Sequence, residues 1–330
     1  MRLKKKFLII RFSSIGDIVL TSPVIRLLKM QTDGAEVHYL TKQKYRCLLE
    51  ANPYIDRIYS FSKKLDEILP VLKSEKYDYI IDLHRNIRSS MVKMVLKRKS
   101  FSFRKLDFRK WILVNFKIDR LPDIHIVDRY IETLKNFGIK NDGKGLDYFI
   151  PENEKFNLDE LPADFREGYI CIVLGGTYFT KRLPPQKYFS LVANQQYNFV
   201  LLGGLTEKEM ADSIMSVAGK NVADLCGKLG INQSASVVGQ ARLVIANDTG
   251  LMHIAAALRK KILSVWGNTV PQFGMYPYLP GEGSEMLEVK GLKCRPCSKL
   301  GKHKCPEKHF NCMNLISEPA IADWVRKNFR

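Results

Sequence analysis

The sequence predicts an α/β protein of two similar domains, each wound around a parallel sheet. Short apolar runs alternate with amphipathic segments along the whole chain, the rhythm of strand–helix–strand units. That rhythm breaks once, in the turn-rich stretch GIKNDGKGLDYFIPENEKFNLDELP at 138–162, and then restarts. Two apolar runs of the second half, YICIVLGG and FVLLGG, end in paired glycines, where backbone can approach a ligand closely. A length of 330 residues also suits two domains better than one. The expected division is 1–155 and 156–330, with a ligand cleft between the halves.

In the first half, strands are expected over Phe7–Arg11, Val37–Leu40, Arg57–Phe61 and Tyr79–Leu83, with a weaker fifth in KSFSF at 99–103. Helices are expected over Ile18–Met30 and Ile126–Phe137. The opening MRLKKKFLIIRF begins like an export signal. Its apolar stretch ends at Ile10, though, and no small-residue cleavage site follows, so it reads as the first strand of a cytoplasmic protein. In the second half, strands are expected in 169–176, 199–204, 241–250 and 260–268. A helix over 206–218 follows the second of these, with Thr206 as its cap. A closing helix, AIADWVRKNF, is placed at 320–329, packed on its own half or back on the first domain. No run of 18 apolar residues is present.

Charge is unevenly spread. The net charge is +19; residues 1–150 hold 31 Lys/Arg against 17 Asp/Glu, a net +14. From Arg85 to Lys110 there are ten Lys/Arg and one acid, Asp107. Such a face suits phosphorylated sugars, nucleic acid or an anionic membrane surface, or is simply solvated. His84, Arg85 and Arg88 of DLHRNIRSS follow a strand end there and are candidates for holding an anionic substrate.

The first strand runs into RFSSIGDIVLTSPVIRLLKM. In nucleotide-binding α/β proteins this turn carries several glycines, so that a phosphate can sit on the helix N-terminus. Here a single glycine, Gly16, is followed by an acid, Asp17. The phosphate seat appears instead in the second half, in NDTGLMHIAAAL, where a strand delivers Asp248, Thr249 and Gly250 to a helix start with His253 one turn in. Asp248 or Thr249 acting only as a helix cap, with His253 packed, explains the same pattern. In GGTYFTKRLPPQKYF, Thr177 can donate to phosphate and Lys181 offers a point charge, or is a solvated loop cation. Glu207, just past FVLLGG, suits either a ribose hydroxyl pair or the first turn of a helix. Seven cysteines without an export signal read as thiols or metal ligands. Cys294, Cys297, Cys305 and Cys312, interspersed with His303 and His309, suit either a structural zinc site or reduced buried thiols.

Taken together, these stretches resemble glycosyltransferase family 9, the bacterial heptosyltransferases of lipopolysaccharide core assembly. The resemblance covers nearly the whole chain and is anchored in RFSSIGDIVLTSPVIRLLK and NDTGLMHIAAAL, with GGTYFTKRLPPQKYF between them. It implies a GT-B fold of two Rossmann-like domains, the first holding the acceptor and the second the nucleotide-sugar. It further implies an inverting transfer of heptose from an ADP-heptose to the lipopolysaccharide inner core, with no catalytic metal. Residue by residue, Asp17 then matches the catalytic base. Lys181, Asp248, Thr249 and Gly250 match the donor diphosphate site, with His253 beside them and Glu207 as ribose ligand. The partners implied are an ADP-sugar and a lipid-linked anionic saccharide, reached by peripheral binding at the cytoplasmic face of the inner membrane.

Three other readings remain at this level. A family member can use another nucleotide-sugar or another acceptor. A basic nucleic-acid-binding protein would account for the charge and for Phe101, Phe103, Phe108 and Trp111, but not for Asp17 or the glycine-ended strands. A nicotinamide-dependent enzyme or epimerase would carry a G-x-G-x-x-G after the first strand, which is missing.

Overall fold

The computed structural model describes residues 5–329. Along the chain lie β1 (Lys5–Ile10), α1 (Ile15–Val19), α2 (Ser22–Gln31), β2 (Ala35–Lys42), β3 (Arg57–Phe61), α3 (Leu69–Ser74), β4 (Tyr79–Asp82), α4 (Ile87–Leu96), β5 (Lys99–Ser102), α5 (Asp107–Phe116) and α6 (Ile126–Ile131). Then follow β6 (Ile170–Val173), α7 (Gln186–Val192), β7 (Phe199–Leu202), α8 (Lys208–Met215), β8 (Val222–Asp224), α9 (Ile231–Gln240), β9 (Leu243–Asn247), α10 (Gly250–Ala257), β10 (Lys261–Trp266), β11 (Glu285–Glu288), α11 (Asn311–Asn314) and α12 (Glu318–Asn328).

The first unit runs to Lys105 and resumes over Ile124–Pro151. Its five parallel strands stand in the order β3-β2-β1-β4-β5. Phe7 to Ile10 of β1 are fully buried, because helices cover both faces of a parallel sheet and leave no solvated side. The chain winds outward from β1 through β2 and β3, then returns to β4 on the other side of β1. Strand order therefore reverses between β1 and β4, and the loops leaving these two strands diverge at their carboxyl ends.

The second unit comprises Leu106–Asp123 and Glu152–Arg330. Its six strands are also all parallel, in the order β11-β10-β9-β6-β7-β8, with the reversal between β6 and β9. A core of Ile172, Leu201, Ile245, Val265 and Met313 fills the space between sheet and helices.

Several expectations are revised. The single helix expected over Ile18–Met30 is two, α1 and α2. Thr21 turns back to bond the Ile18 carbonyl through both its N–H and its hydroxyl, at 2.9 and 2.7 Å, and Pro23 restarts the helix in its first turn. Ile126–Phe137 keeps α-helical bonding only to Ile131 and continues as a tighter 3₁₀ turn. Thr206 does not cap α8; the turn before it starts at Gly204, whose N–H donates to the Glu207 carboxylate. The closing helix α12 packs on α7 and β10 of the second unit through Ile321, Trp324 and Val325, with the Trp324 ring nitrogen donating to the Gly283 carbonyl at 2.9 Å.

The unit boundary falls after Pro151 rather than after 155, and the chain also crosses at 105/106 and 123/124. Helix α5 belongs with the second unit because Leu113 is buried against Val270 and Phe273, while Lys110 sits over the Phe273 ring at 5.1 Å. Leu113→Ala should destabilise by about 2–4 kcal/mol through the cavity left behind. Hydrogen exchange checks the assignment: protection should fall in β10 and the 270s loop, while β1 and β4 keep theirs.

Candidate active site

In the first unit, the strand-order reversal brings two sequence motifs together. Arg11, at the end of β1, is the bridge. Its side chain donates to the carbonyls of Ser13 at 2.8 Å and Leu83, beyond β4, at 2.5 Å, and to the Tyr130 hydroxyl at 3.0 Å. Its remaining nitrogen pairs with Asp17 Oδ1 at 2.6 Å. The Phe12 ring lies 4.7 Å from the His84 ring, so the loops after β1 and β4 are in contact.

Asp17 occupies the third position of α1 and closes a capping box with Ser14. Its Oδ2 accepts from the Ser14 N–H at 3.1 Å and the Ser14 hydroxyl at 2.7 Å. Burial works against its charge, but Arg11 and Ser14 outweigh that and hold the carboxyl below the ordinary aspartate range. The side chain remains 22% exposed, and Ser14 beside it is exposed. The result is a carboxylate that stays ionised, with one oxygen clamped by Arg11 and the other held by the N–H and hydroxyl of exposed Ser14.

The loop after β4 is built on buried Asp82. Its Oδ1 accepts from the N–H groups of His84 and Arg85 at 3.1 and 2.7 Å, and its Oδ2 from the Ser89 hydroxyl at 2.9 Å. Burial, reinforced by Arg11, lowers the His84 pKa to about 4, so this imidazole is neutral near pH 7. Arg85 is tied to the Phe103 carbonyl at 3.1 Å, and Arg88 is exposed.

In the second unit the reversal between β6 and β9 gathers the other candidates. Asn247 is fully buried and holds the junction. Its amide donates to the carbonyls of Val173 and Leu174 at the end of β6, and its oxygen accepts from the Leu183 N–H. This fixes the 175–183 loop over β9, and Lys181 pairs there with Asp248 at 2.6 Å. Thr269 donates to the same carboxylate oxygen at 3.0 Å. Thr249 caps α10, accepting from the Met252 N–H at 3.3 Å, and the first-turn N–H groups of that helix carry its positive end. His253 is buried in α10, and Thr177 is exposed.

Glu207 is buried and engaged on both oxygens. Oε1 pairs with Arg182 at 2.8 Å and accepts from Thr206 at 2.8 Å; Oε2 accepts from the Gly204 N–H at 2.9 Å. A side chain at Gly203 would meet the Glu207 Cβ at 2.8 Å, which explains the glycine there, and Gly175 lies 3.8 Å from Oε2 by the same measure. The first-turn role weighed from sequence is therefore present, and one lone pair of Oε2 remains beside the end of β6.

The cysteine segment folds onto the Lys181 loop. Thr180 and Lys302 exchange hydrogen bonds, Lys302 N–H to Thr180 Oγ1 at 2.8 Å and Thr180 N–H to the Lys302 carbonyl at 3.2 Å, and Gly301 is pressed against Tyr178. Cys294, Cys297, Cys305 and Cys312 line one cavity of about 10 Å³ with His309, whose Nε2 is 3.9 Å from Cys294 Sγ. Burial pushes the Cys312 thiol up to about 12. Among the described residues, three candidate ligand atoms lie within 4.8 Å of one another only at Glu36, His38 and Glu75. There the Lys6 ammonium already pairs with both acids, at 3.2 and 2.7 Å.

Sequence reading gives no role to Arg11, Ser14, Asn247 or Arg182. Serine three residues before Asp17 was a visible capping-box signal. A charge ending an otherwise apolar strand, as Arg11 does, marks a group that needs a partner.

Comparison with known proteins adds a family. Residues 68–307 match the model of glycosyltransferase family 9 (heptosyltransferase). Lipopolysaccharide heptosyltransferase 1 of Campylobacter coli is 24% identical over 295 residues, covering 80% of this chain and 84% of that protein. The family 9 glycosyltransferase structure from Veillonella parvula superposes with a TM-score of 0.80 at 21% identity, covering 99% and 98% of the two chains. The E. coli heptosyltransferase WaaC with ADP gives 0.69 at 19% identity, covering 98% and 99%. These likenesses show the GT-B fold.

Replacing Arg11 by Met strips Asp17 of its counter-charge. The loss should be on the order of 3 kcal/mol near neutral pH. The folded pKa of Asp17 lies below its unfolded value of about 3.9, so its contribution is complete above that value and lost as pH falls through the folded one. Denaturant melts should show the wild-type advantage shrinking below about pH 4; a gap constant with pH would mean that Arg11 acts only through its carbonyl bonds.

Proposed function

This chain belongs to glycosyltransferase family 9, and we propose that it moves a heptose from ADP-heptose to the lipopolysaccharide inner core, inverting the anomeric centre without a catalytic metal. The observation that carries the mechanism is the Asp17 carboxylate at the β1/β4 reversal, ionised, with Oδ1 on Arg11 and Oδ2 on exposed Ser14.

A hydroxyl of the acceptor sugar displaces the Ser14 hydroxyl from Asp17 Oδ2 and donates its proton there. Its oxygen attacks the anomeric carbon from the face opposite the diphosphate. The new C–O bond forms as the C–O bond to ADP breaks, with the electron pair leaving on the diphosphate oxygen and the proton passing to Asp17. A carboxylate with a lowered pKa is a weak base, so it takes the proton late, once bond formation has made the hydroxyl acidic. Its full ionisation at neutral pH compensates in part. Base assistance of this kind is worth about 10²–10⁴ in rate.

The second unit holds the donor. Lys181 keeps two of its three N–H donors beyond the Asp248 pair, and these, with the α10 N-terminus and the Thr177 hydroxyl, receive the diphosphate and the charge it gains on leaving. Oε2 of Glu207 takes a ribose hydroxyl, and buried His253, one turn into α10, completes the donor site. His84, Arg85 and Arg88 face the anionic acceptor. With a basic first half and a lipid-held acceptor, the protein works peripherally at the cytoplasmic face of the inner membrane; among the described residues no helix is long and apolar enough to cross it. We read the cysteine segment as a zinc staple for the Lys181 loop, because four thiols line one cavity and Thr180–Lys302 ties it to that loop; no three of its sulfur and imidazole ligand atoms stand within 4.8 Å of one another, so the ion would have to draw them together.

Asp17→Asn keeps an acceptor for Ser14 but gives up the Arg11 ion pair, so the melting temperature is measured beside the rate. Turnover with ADP-heptose and a core acceptor should fall by a hundredfold or more while ADP affinity stays within about twofold. Retention of a tenth of the wild-type rate would remove Asp17 as the base, and faster turnover with a UDP-, GDP- or CDP-sugar would reassign the donor. Elemental analysis of the purified protein should find about one zinc per chain, released by a thiol-modifying reagent with a rise in the KM for donor. Metal-free protein of unchanged KM would leave the cysteines as plain buried thiols.

A further inference from the structure

We propose that helix α4 of the first unit is the surface through which this protein docks on an anionic phospholipid bilayer. The proposal rests on the peripheral membrane reading above and names its contact surface. Helix α4 is apolar on two opposite sides. Val92 and Leu96 are buried in the core of the first unit. Ile87, Met91, Met94 and Val95, at i, i+4, i+7 and i+8, form a second stripe facing out, with Ile87 83% and Met94 65% exposed. A helix that only covered its sheet would be polar on that side.

The charge around the stripe selects its occupant. Residues 85–105 hold eight Lys/Arg and no Asp or Glu. Lys93 is spent on buried Asp82 at 2.9 Å, but Lys97, Arg98, Lys99, Arg104 and Lys105 are exposed. Aliphatic side chains enter the boundary between headgroups and acyl chains, while long basic side chains stay at the lipid phosphates. Nucleic acid would match the charge, but Ile87, Met91, Met94 and Val95 provide no ring for a base to stack on. A second copy would bring eight like charges against eight. The second unit shows the same chemistry on its own account. Helix α5 exposes Phe108, Trp111 and Phe116, with the first two rings stacked at 6.1 Å and Arg109 and Lys110 between them in sequence; such aromatics favour a membrane interface.

The test is flotation of the full chain with vesicles of phosphatidylglycerol and phosphatidylethanolamine, against vesicles of phosphatidylcholine. Wild type should float with the first, less so as salt rises, and not with the second. Ile87→Glu with Met94→Glu should weaken vesicle binding at least about tenfold. Arg98→Glu with Arg104→Glu, two exposed positions of ordinary backbone, should weaken it by about twentyfold or more. Both variants should keep the wild-type melting temperature and turnover on a soluble, lipid-free acceptor. Equal flotation of wild type and both variants, equal flotation with neutral vesicles, or a dimer that masks the stripe would each overturn the proposal. Vesicle binding through α4 without sugar transfer would leave docking standing and sink the proposed reaction. Transfer to the soluble acceptor without vesicle binding would do the reverse.

Discussion

The reversal of strand order in each parallel sheet is the constraint on which the site depends. Loops leaving neighbouring strands on the two sides of the reversal must turn opposite ways, and the gap they leave lies at the carboxyl ends of the strands. In the first unit that gap is crossed by Arg11, reaching from the end of β1 to the Leu83 carbonyl past β4. In the second it is crossed by Asn247, reaching from β9 to the Val173 and Leu174 carbonyls of β6. Residues distant in sequence, Asp17 and His84 in one unit and Lys181 and Asp248 in the other, become neighbours for this topological reason.

Each charged candidate also arrives with a partner. Asp17 has Arg11, Lys181 has Asp248, and Glu207 has Arg182. Half-buried charges without such partners would be expelled or neutralised. The pairing leaves capacity on each member: an exposed serine on one Asp17 oxygen, two spare donors on Lys181, one lone pair on Glu207. A ligand that exchanged one such hydrogen bond for another would not have to rebuild the site, and the cost of reorganisation would be low.

The glycine-poor turn of the first unit and the cysteine segment of the second each shape a candidate loop within their own unit. The first fills the N-terminal turn of helix α1 with the carboxylate of its own capping box. The second braces the loop that carries Lys181, through Thr180 and Lys302, from the far end of the same unit. Helix α5, whose segment departs from the first half of the chain yet packs on Val270 and Phe273, completes that unit with a piece borrowed in sequence order only.

Much of this was legible before any coordinates. Period-two and fully apolar runs marked most of the strands, and the carboxylate after Gly16 and the DTG run marked the two loops proposed here as the site, because burial and turn chemistry are local demands. Strand β11, with half of its residues exposed, and the helix break at Thr21 left weaker traces. What the sequence could not contain is partnership. That Arg11 would hold Asp17, that Arg182 would occupy Glu207, and that residues 106–123 would join the second unit are decided by which strands neighbour one another. That choice is made by the summed packing of both sheet faces, a property of the whole chain that no single stretch of it carries.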